Sequence, residues 1–482
     1  MDLTNSELYI ALSSAVGTDT NTVIEELSKQ LQEFNYDTDV IKISRQILQP
    51  LVLDWDELSD IQKPNALMDK GNDLRRDSNN DAILACSVSE LIHRERPNGE
   101  MFQRRAFIIS SLKHPSEVDK FREIYSGGFF LIAINENEAH RIKNLNSKNL
   151  GNNDAEKLIQ RDSGEKESFG QHTRDVFEIA DFHITLNCKE EILKLQIGRI
   201  LDLIFGNPFI TPTFDEYAMF MAYSSGLRSA DLSRQVGAVI ANKNNEIVAT
   251  GANDVPKFGG GQYWPDPDNF KDHPYGRDYL LGYDSNKREH QKIIKEIVDL
   301  FDFSGRDDEK NRLTQLLATS SIRFLTEYNR AVHAEMSAIV LCARIGISLQ
   351  DATLYCTTFP CHNCAKHIIG TGIERVVYIE PYPKSKTMEL YSDSASISGE
   401  HNKVHFEEFV GIGPRRFFDL FSLKLSSGRC IIRKDSSGKV CNWQRCDARL
   451  RCQLTGLSYL EKEGVESVKW NDYNDNKLKK GV

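Results

Sequence analysis

The chain has 482 residues, 40% of them hydrophobic and 27% charged, with a net charge of −10. That length exceeds what one hydrophobic core organises, so two or three domains are expected, and the composition is that of a soluble protein. The acidic excess excludes a broad electrostatic grip on nucleic acid, no apolar run reaches membrane-spanning length, and the opening M-D-L-T-N-S-E lacks the basic flank of a signal peptide. Ten scattered cysteines fit free thiols and metal ligation better than a disulfide framework, so the expected location is the cytoplasm.

Residues 8–14, L-Y-I-A-L-S-S, predict a buried strand. It runs through A-V-G-T-D-T into a helix near 19–34, where Val23, Ile24, Leu27 and Leu31 recur at helical spacing, and a second strand follows near 36–43. Strand, glycine turn, helix, strand is the opening of a nucleotide-binding α/β domain. The phosphate-cradling form needs G-x-x-x-x-G-K-[ST]. Here Leu12 stands at the first glycine, Gly17 at the second, Thr18 at the lysine and Asp19 at the hydroxyl, which argues against ATP hydrolysis. Two more buried strands are read at 104–115 and 127–134 around a helix, then a polar helix at 158–165 and I-A-D-F-H-I at 179–184. Over roughly the first two hundred residues this arrangement resembles the P-loop nucleotide kinases. The resemblance implies a parallel-sheet domain over 1–207, acting either as a nucleotide-sensing domain or as a scaffold. Lys113, Arg161 and Arg174 are its candidate phosphate contacts, each with the alternative of a solvated surface charge.

P-F-I-T-P-T (208–213) reads as a linker, and a helix from Phe214 to about Ser225 opens the next domain. S-R-Q-V-G-A-V-I-A-N-K-N-N-E-I-V-A-T-G-A-N-D then predicts a strand, a polar turn and a second strand, hence a hairpin. The segment 256–328 is a long insertion that starts with G-G-G-Q-Y-W-P-D-P-D and continues into charged helices. Such loops are usually lids or binding segments, so it is expected to clamp a ligand or to form an oligomer contact.

The chemistry-bearing stretch lies between Ala331 and Cys364. It reads A-V-H-A-E-M-S-A-I at one end and T-T-F-P-C-H-N-C at the other. One imidazole and two thiolates, from His333, Cys361 and Cys364, offer zinc a tetrahedral site with one position left for water. Pro360 marks the start of a helix whose positive end favours both thiolates. Two thiolates cancel the charge of the metal, so its water benefits from a neighbouring base, and Glu335 is placed to take a proton from water and return it to a leaving amine. H-x-E followed by P-C-x-x-C is the pattern of zinc-dependent cytosine and adenine deaminases, hydrolases that release ammonia.

The match to that superfamily spans about 214–420 and implies a three-layer α/β/α sandwich. The fold class expected for the whole chain is therefore α/β, a P-loop-like parallel-sheet domain followed by a cytidine-deaminase-type sandwich. In cytidine- and deoxycytidylate-type deaminases the segments R-x-x-V-G-A-V-I and G-x-N correspond to Arg234 through Ile240 and to Gly251 through Asn253. Carried over, Asn253 contacts the pyrimidine or sugar and Arg234 lies near the phosphate. Asn253 also suits a simple turn residue. Tyr382 and Lys384, in the turn P-Y-P-K-S, are further candidate substrate contacts.

More closely, L-K-H-P-S-E-V, H-A-E-M, T-T-F-P-C-H-N-C-A-K-H-I-I and V-V-Y-I-E-P-Y-P-K-S resemble the bacterial anti-phage dCTP deaminases. That resemblance implies conversion of dCTP to dUTP, and of dCMP to dUMP, depleting the dCTP pool a phage needs. One departure stands out: Ser337 occupies a position where deoxycytidylate deaminases commonly carry asparagine. Rival readings are a housekeeping dCMP deaminase feeding thymidylate synthesis, a polynucleotide editor and a non-enzymatic nucleotide sensor. The superfamily implies a homo-oligomer. Control by a regulatory nucleotide or an RNA partner stays open.

The last sixty residues, Leu423 to Val482, hold 13 basic against 7 acidic residues, so this extension carries +6 and the remainder −16. Its cysteines (430, 441, 446 and 452) include no C-x-x-C pair, which favours plain thiols over a second zinc site. Its basic character fits a solvated face, an RNA partner or substrate phosphates.

Overall fold

The computed structural model describes residues 6–163, 165, 169–325, 327–382, 385–397, 399–452 and 458–480. The chain divides into two units, one built from Met1–Glu216 with Val410–Val482 and the other from Tyr217–Phe409. No helix among the described residues is long and apolar enough to cross a membrane.

The first unit is a sheet of strands β1 (Leu8–Ser14), β2 (Asp37–Lys42), β3 (Arg105–Ser110), β4 (Phe129–Asn135) and β5 (Phe182–Thr185). All five run parallel in the order β5-β4-β1-β3-β2, and the short strand Gly411–Ile412 adds antiparallel to β5. β1 is buried along its whole length because both of its faces are covered. Alternation sorts its side chains: Tyr9 and Ala11 join Phe107, Ile109, Leu131 and Ala133 in one core, while Leu8, Ile10 and Leu12 join Ala106, Ile108, Phe130 and Ile132 in the other.

The strands and helices read from periodicity are present: the helix Thr20–Gln32 follows β1, and Pro115–Tyr125 joins β3 to β4. Helices Gln62–Ser78 and Ile83–Glu95, which the sequence reading did not find, cover the sheet between β2 and β3.

The C-terminal segment 421–482 belongs to this first unit. Tyr459 and Trp470 of the helix Ser458–Lys480 complete one core, and Ala448 and Leu450 complete the other. Each large apolar side chain buried this way contributes about 1.5–3 kcal/mol. A buried ionic cluster fastens the same helix. Arg96 donates from Nε and Nη2 to Glu463 (2.5 and 2.9 Å) and from Nη1 and Nη2 to Glu7 (2.6 and 3.0 Å), while Tyr125 donates to Glu463 (3.0 Å) and Tyr9 to Glu7 (2.5 Å). Several basic residues of the segment turn inward. Arg451, fully buried, donates to the carbonyls of Asp419 (2.9 Å), Arg429 (2.6 Å) and Ser422. For these residues the expected solvated face is replaced by a network that satisfies loop carbonyls in a segment with few strands of its own.

The second unit carries β6 (Gly237–Ala241), β7 (Ile247–Ala252), β8 (Thr353–Thr358), β9 (Arg375–Glu380), β10 (Ala395–Ser396) and β11 (Val404–Glu408), in the order β10-β11-β9-β8-β6-β7. β8 to β11 are parallel, β6 is antiparallel to β8, and β7 is antiparallel to β6.

Two glycines show how helices cover this sheet. Ala238 pairs with Gly251 and Gly237 with Ala252, so Gly237 and Gly251 face opposite sides. A Cβ on Gly237 would lie 1.8 Å from the carbonyl oxygen of Ala222, in the helix Phe214–Gly226. A Cβ on Gly251 would lie 2.1 Å from that of Ala334, in the helix Ala334–Ile345. One helix therefore packs on each face, giving three layers. Helix His362–Gly370 shares the core of Ala334–Ile345, with Ala334, Ala338, Cys364 and Ile368 in one cluster.

Candidate metal centre and its cleft

The site sits where these two neighbouring helices begin. His333 is the N-cap of Ala334–Ile345, in extended backbone (φ −61°, ψ 152°). The segment entering it is held to the end of β7 by an antiparallel bridge, Val332 N–H donating to the Asp254 carbonyl (3.0 Å). Glu335 lies in the first turn and is 4% exposed. Cys361 is the N-cap of His362–Gly370, and Cys364 follows one turn on, 1% exposed. The carbonyl of Pro360, just ahead, accepts from Ser385 Oγ (2.8 Å) and Thr387 Oγ1 (3.4 Å). Two helix N-termini thus converge on two sulfur atoms, an arrangement that favours thiolates.

The donors fit a metal. Nδ1 of His333 is 3.4 Å from Sγ of Cys361 and 3.4 Å from Sγ of Cys364, and all three atoms lie within 4.8 Å of one another. Tetrahedral zinc with ordinary Zn–N and Zn–S bonds places a nitrogen and a sulfur about 3.6 Å apart. Hydrogen bonds from Cys364 and His333 hold the Cys361 thiol down to about 4, and the Cys361 contact pushes His333 up to about 9. Burial raises the Glu335 carboxyl, with His333 opposing it.

A cleft of about 150 Å³ opens on this centre, walled by Asp231, Ser233, Arg234, Asn253, Asn329, Thr358, Phe359 and Tyr382 together with His333, Glu335 and Cys361. Asn253 lines it, but its amide is engaged with the chain: Oδ1 accepts from Val236 N–H (2.7 Å) and Nδ2 donates to the Arg234 carbonyl (2.8 Å). Arg234 lines it too, with Nη1 donating to both oxygens of Glu380 (2.8 and 3.0 Å) and the guanidinium 5.2 Å from the Tyr382 ring centroid. Lys384 lies outside the described residues.

Asp231, Thr358 and Glu380 were not singled out from the sequence. Thr358 and Glu380 stand within motifs that were, T-T-F-P-C and V-V-Y-I-E, and only the β8–β9 register, which pairs them, reveals the connection.

Among the described residues, none of the insertion, 256–328, lines this cleft. Its neighbouring arginines are spent locally. Arg228 donates to Gln262 (2.7 Å) and the Tyr263 carbonyl (2.7 Å), Arg277 to Asp272 (3.0 Å) and the same carbonyl (2.9 Å), and Arg330 to Asp278 (2.7 Å).

In the first unit, two of the three candidate phosphate contacts are also paired. Lys113 donates to Asp162 (2.8 Å) and the Ser14 carbonyl (2.6 Å), and Arg161 to Asp69 (2.5 Å) and Glu165 (2.7 Å). Asp162 also accepts the Val16 N–H (2.8 Å), so a carboxylate occupies the turn after β1. Burial lowers the Arg174 guanidinium.

Residues 212–380 match the family described as the cytidine and deoxycytidylate deaminase zinc-binding region. The deoxycytidylate deaminase of Enterobacteria phage T4 is 34% identical over 166 residues, covering 34% of this chain and 77% of that protein. A probable deoxycytidylate deaminase of Drosophila melanogaster is 30% identical over 196 residues, covering 40% of this chain and 73% of its own. The ComE operon protein 2 of Bacillus subtilis is 35% identical over 81 residues, covering 17% and 42%. The His–Cys–Cys cluster that could bind zinc falls inside the matched segment, as does the buried Glu335. With more than two thirds of the phage protein covered at this identity, the chain belongs to the cytidine and deoxycytidylate deaminase family, whose cofactor is zinc.

Proposed function

We propose that this protein hydrolyses the exocyclic amine of a deoxycytidine nucleotide, with His333, Cys361 and Cys364 as zinc ligands and Glu335 as the proton carrier. The observation that carries the reading is the three-donor cluster with a buried carboxylate two residues beyond the histidine, in the first turn of the helix it caps. When bound, zinc supplies Lewis acidity to a water molecule. Glu335 takes a proton from that water as its oxygen adds to C4 of cytosine. That proton passes to N3, and Glu335 then carries the remaining proton of the added hydroxyl to the amine, which leaves as ammonia while C4 becomes a carbonyl carbon. Asn253 holds the 234–236 backbone that forms one wall, and Arg234 faces the substrate phosphate.

The finer reading is deamination of dCTP to dUTP, depleting the dCTP pool in defence against phage. Its support is the resemblance of the motif segments described above. The second reading, dCMP to dUMP for thymidylate supply, is favoured by two observations. Two phage relatives are deoxycytidylate deaminases, and among the described residues that wall the cleft Arg234 is the sole arginine or lysine, itself paired with Glu380. One guanidinium suits one phosphate better than three.

Offering the zinc-loaded protein dCTP, dCMP and deoxycytidine in parallel tests both. Faster conversion of dCTP supports pool depletion, and preference for dCMP supports thymidylate supply. No turnover of any of the three, with zinc bound at one per chain, sinks the proposal.

A further inference from the structure

Arg234 is a long, rotamer-rich side chain, and what fixes it bears on substrate choice. Glu380 ends β9 and Thr358 ends β8, and the two are register partners across adjacent parallel strands. Thr358 Oγ1, 5% exposed as a residue, donates to Glu380 Oε2 (2.7 Å). The carboxylate so oriented accepts Arg234 Nη1 on both oxygens (2.8 and 3.0 Å). The backbone of the same arginine is fixed independently, its carbonyl by Asn253 Nδ2 (2.8 Å) and its N–H by Asp231 Oδ1 (3.4 Å). A guanidinium has five donors, and this arrangement commits only Nη1 to Glu380.

We infer that Glu380, oriented by Thr358, is a positioning residue that holds Arg234 across the cleft to receive the phosphate of the nucleotide. The inference rests on the reading of Arg234 as the phosphate contact. Asp231 supplies the physical reason a clamp is needed. It is a carboxylate that also lines the cleft, bonded to the N–H groups of Ser233 (2.9 Å) and Arg234 (3.4 Å), and so it stands three residues from a guanidinium that would need a new partner once released from Glu380. A side chain already ordered in its working position loses less entropy on binding than one recruited from solvent.

The test measures calorimetric binding of dCMP and of deoxycytidine to the zinc-loaded full chain carrying Glu335→Gln, which prevents turnover. Glu380→Ala is expected to weaken dCMP about tenfold, as is Arg234→Ala, with the double variant no weaker than either alone. Deoxycytidine binding should stay within about twofold throughout. Glu380→Gln, which keeps an acceptor for Nη1, should restore dCMP binding to within about threefold of the parent. Thr358→Val, a milder change that serves if Glu380→Ala does not fold, should weaken dCMP about threefold.

The positioning role is overturned if Glu380→Ala leaves dCMP binding unchanged while Arg234→Ala weakens it. Equal loss of deoxycytidine binding, or additivity in the double variant, overturns it as well. If Arg234→Ala itself has no effect on dCMP, the phosphate role of Arg234 falls first and the positioning role with it.

Discussion

Gly251 and Ala334 approach so closely that a methyl group on the glycine would sit 2.1 Å from the Ala334 carbonyl oxygen. Ala334 lies between His333 and Glu335, so the packing of one strand glycine sets the height of the metal ligand and of the proton carrier above the sheet. Gly251→Ala must lift the start of that helix. Overpacking of this kind costs about 1–3 kcal/mol, and a displacement near 1 Å in a catalytic group costs on the order of a hundredfold in rate. Turnover with zinc content and urea denaturation on the same preparation will show whether activity falls much further than stability.

Glu335→Gln keeps the shape of the side chain and removes its proton chemistry. The expected outcome is full zinc occupancy with turnover reduced on the order of 10²–10⁴-fold. Cys361→Ala removes a ligand instead, and metal analysis should show zinc and activity lost together. Substantial turnover by Glu335→Gln would remove it from the proton-carrier role.

The Glu7–Arg96–Glu463 cluster carries two buried carboxylates on one guanidinium. Arg96→Met leaves both acids facing each other without the guanidinium that donates to each of them. Removing one partner of a buried ionic group costs about 3–5 kcal/mol. Urea denaturation followed by far-ultraviolet circular dichroism measures it, with release of the helix Ser458–Lys480 as the expected first event. An unchanged midpoint would show that the cluster does not fasten this helix.

His183, in β5, is buried in neutral form, and burial holds its imidazole down to about 4, with Asp181 opposing. Unfolding restores an ordinary value near 6.5, so between those values the unfolded chain binds the proton that the folded chain refuses. Stability therefore falls as pH drops through this window, by on the order of 3 kcal/mol in full. His183→Gln removes the titration. Its melting temperature should decline less steeply than that of the parent between pH 6.5 and pH 4.

Local periodicity carried most of the sheet. β1 is a continuous apolar run flanked by turn residues, and the hairpin β6–β7 announces itself through N-K-N-N. The metal cluster was legible because its spacing is dictated by two helix starts, each with its own local signal. The clamp on Arg234 was not, because Glu380 lies 146 residues further along the chain and the contact exists only once β8 and β9 are in register. The C-terminal helix was hidden for a related reason. Its sequence reads as polar and charged, and the residues that dock it, Glu463 among them, become interpretable only when Arg96 is seen beneath them. Asn253 was identified by position, yet its hydrogen bonds run to backbone groups that sequence does not display.

The bridge between Asp254 and Val332 has a consequence for how this chain tolerates change. It brings the two ends of the intervening segment side by side, so that segment is a closed loop seen from the sheet, whatever its length. Closing a longer loop costs only slowly more, about 0.6 kcal/mol for each doubling. Residues 256–328, which lie between the bridge partners and of which none of those described lines the cleft, therefore form a cassette that can be shortened or exchanged while His333, one residue beyond the bridge, keeps its place.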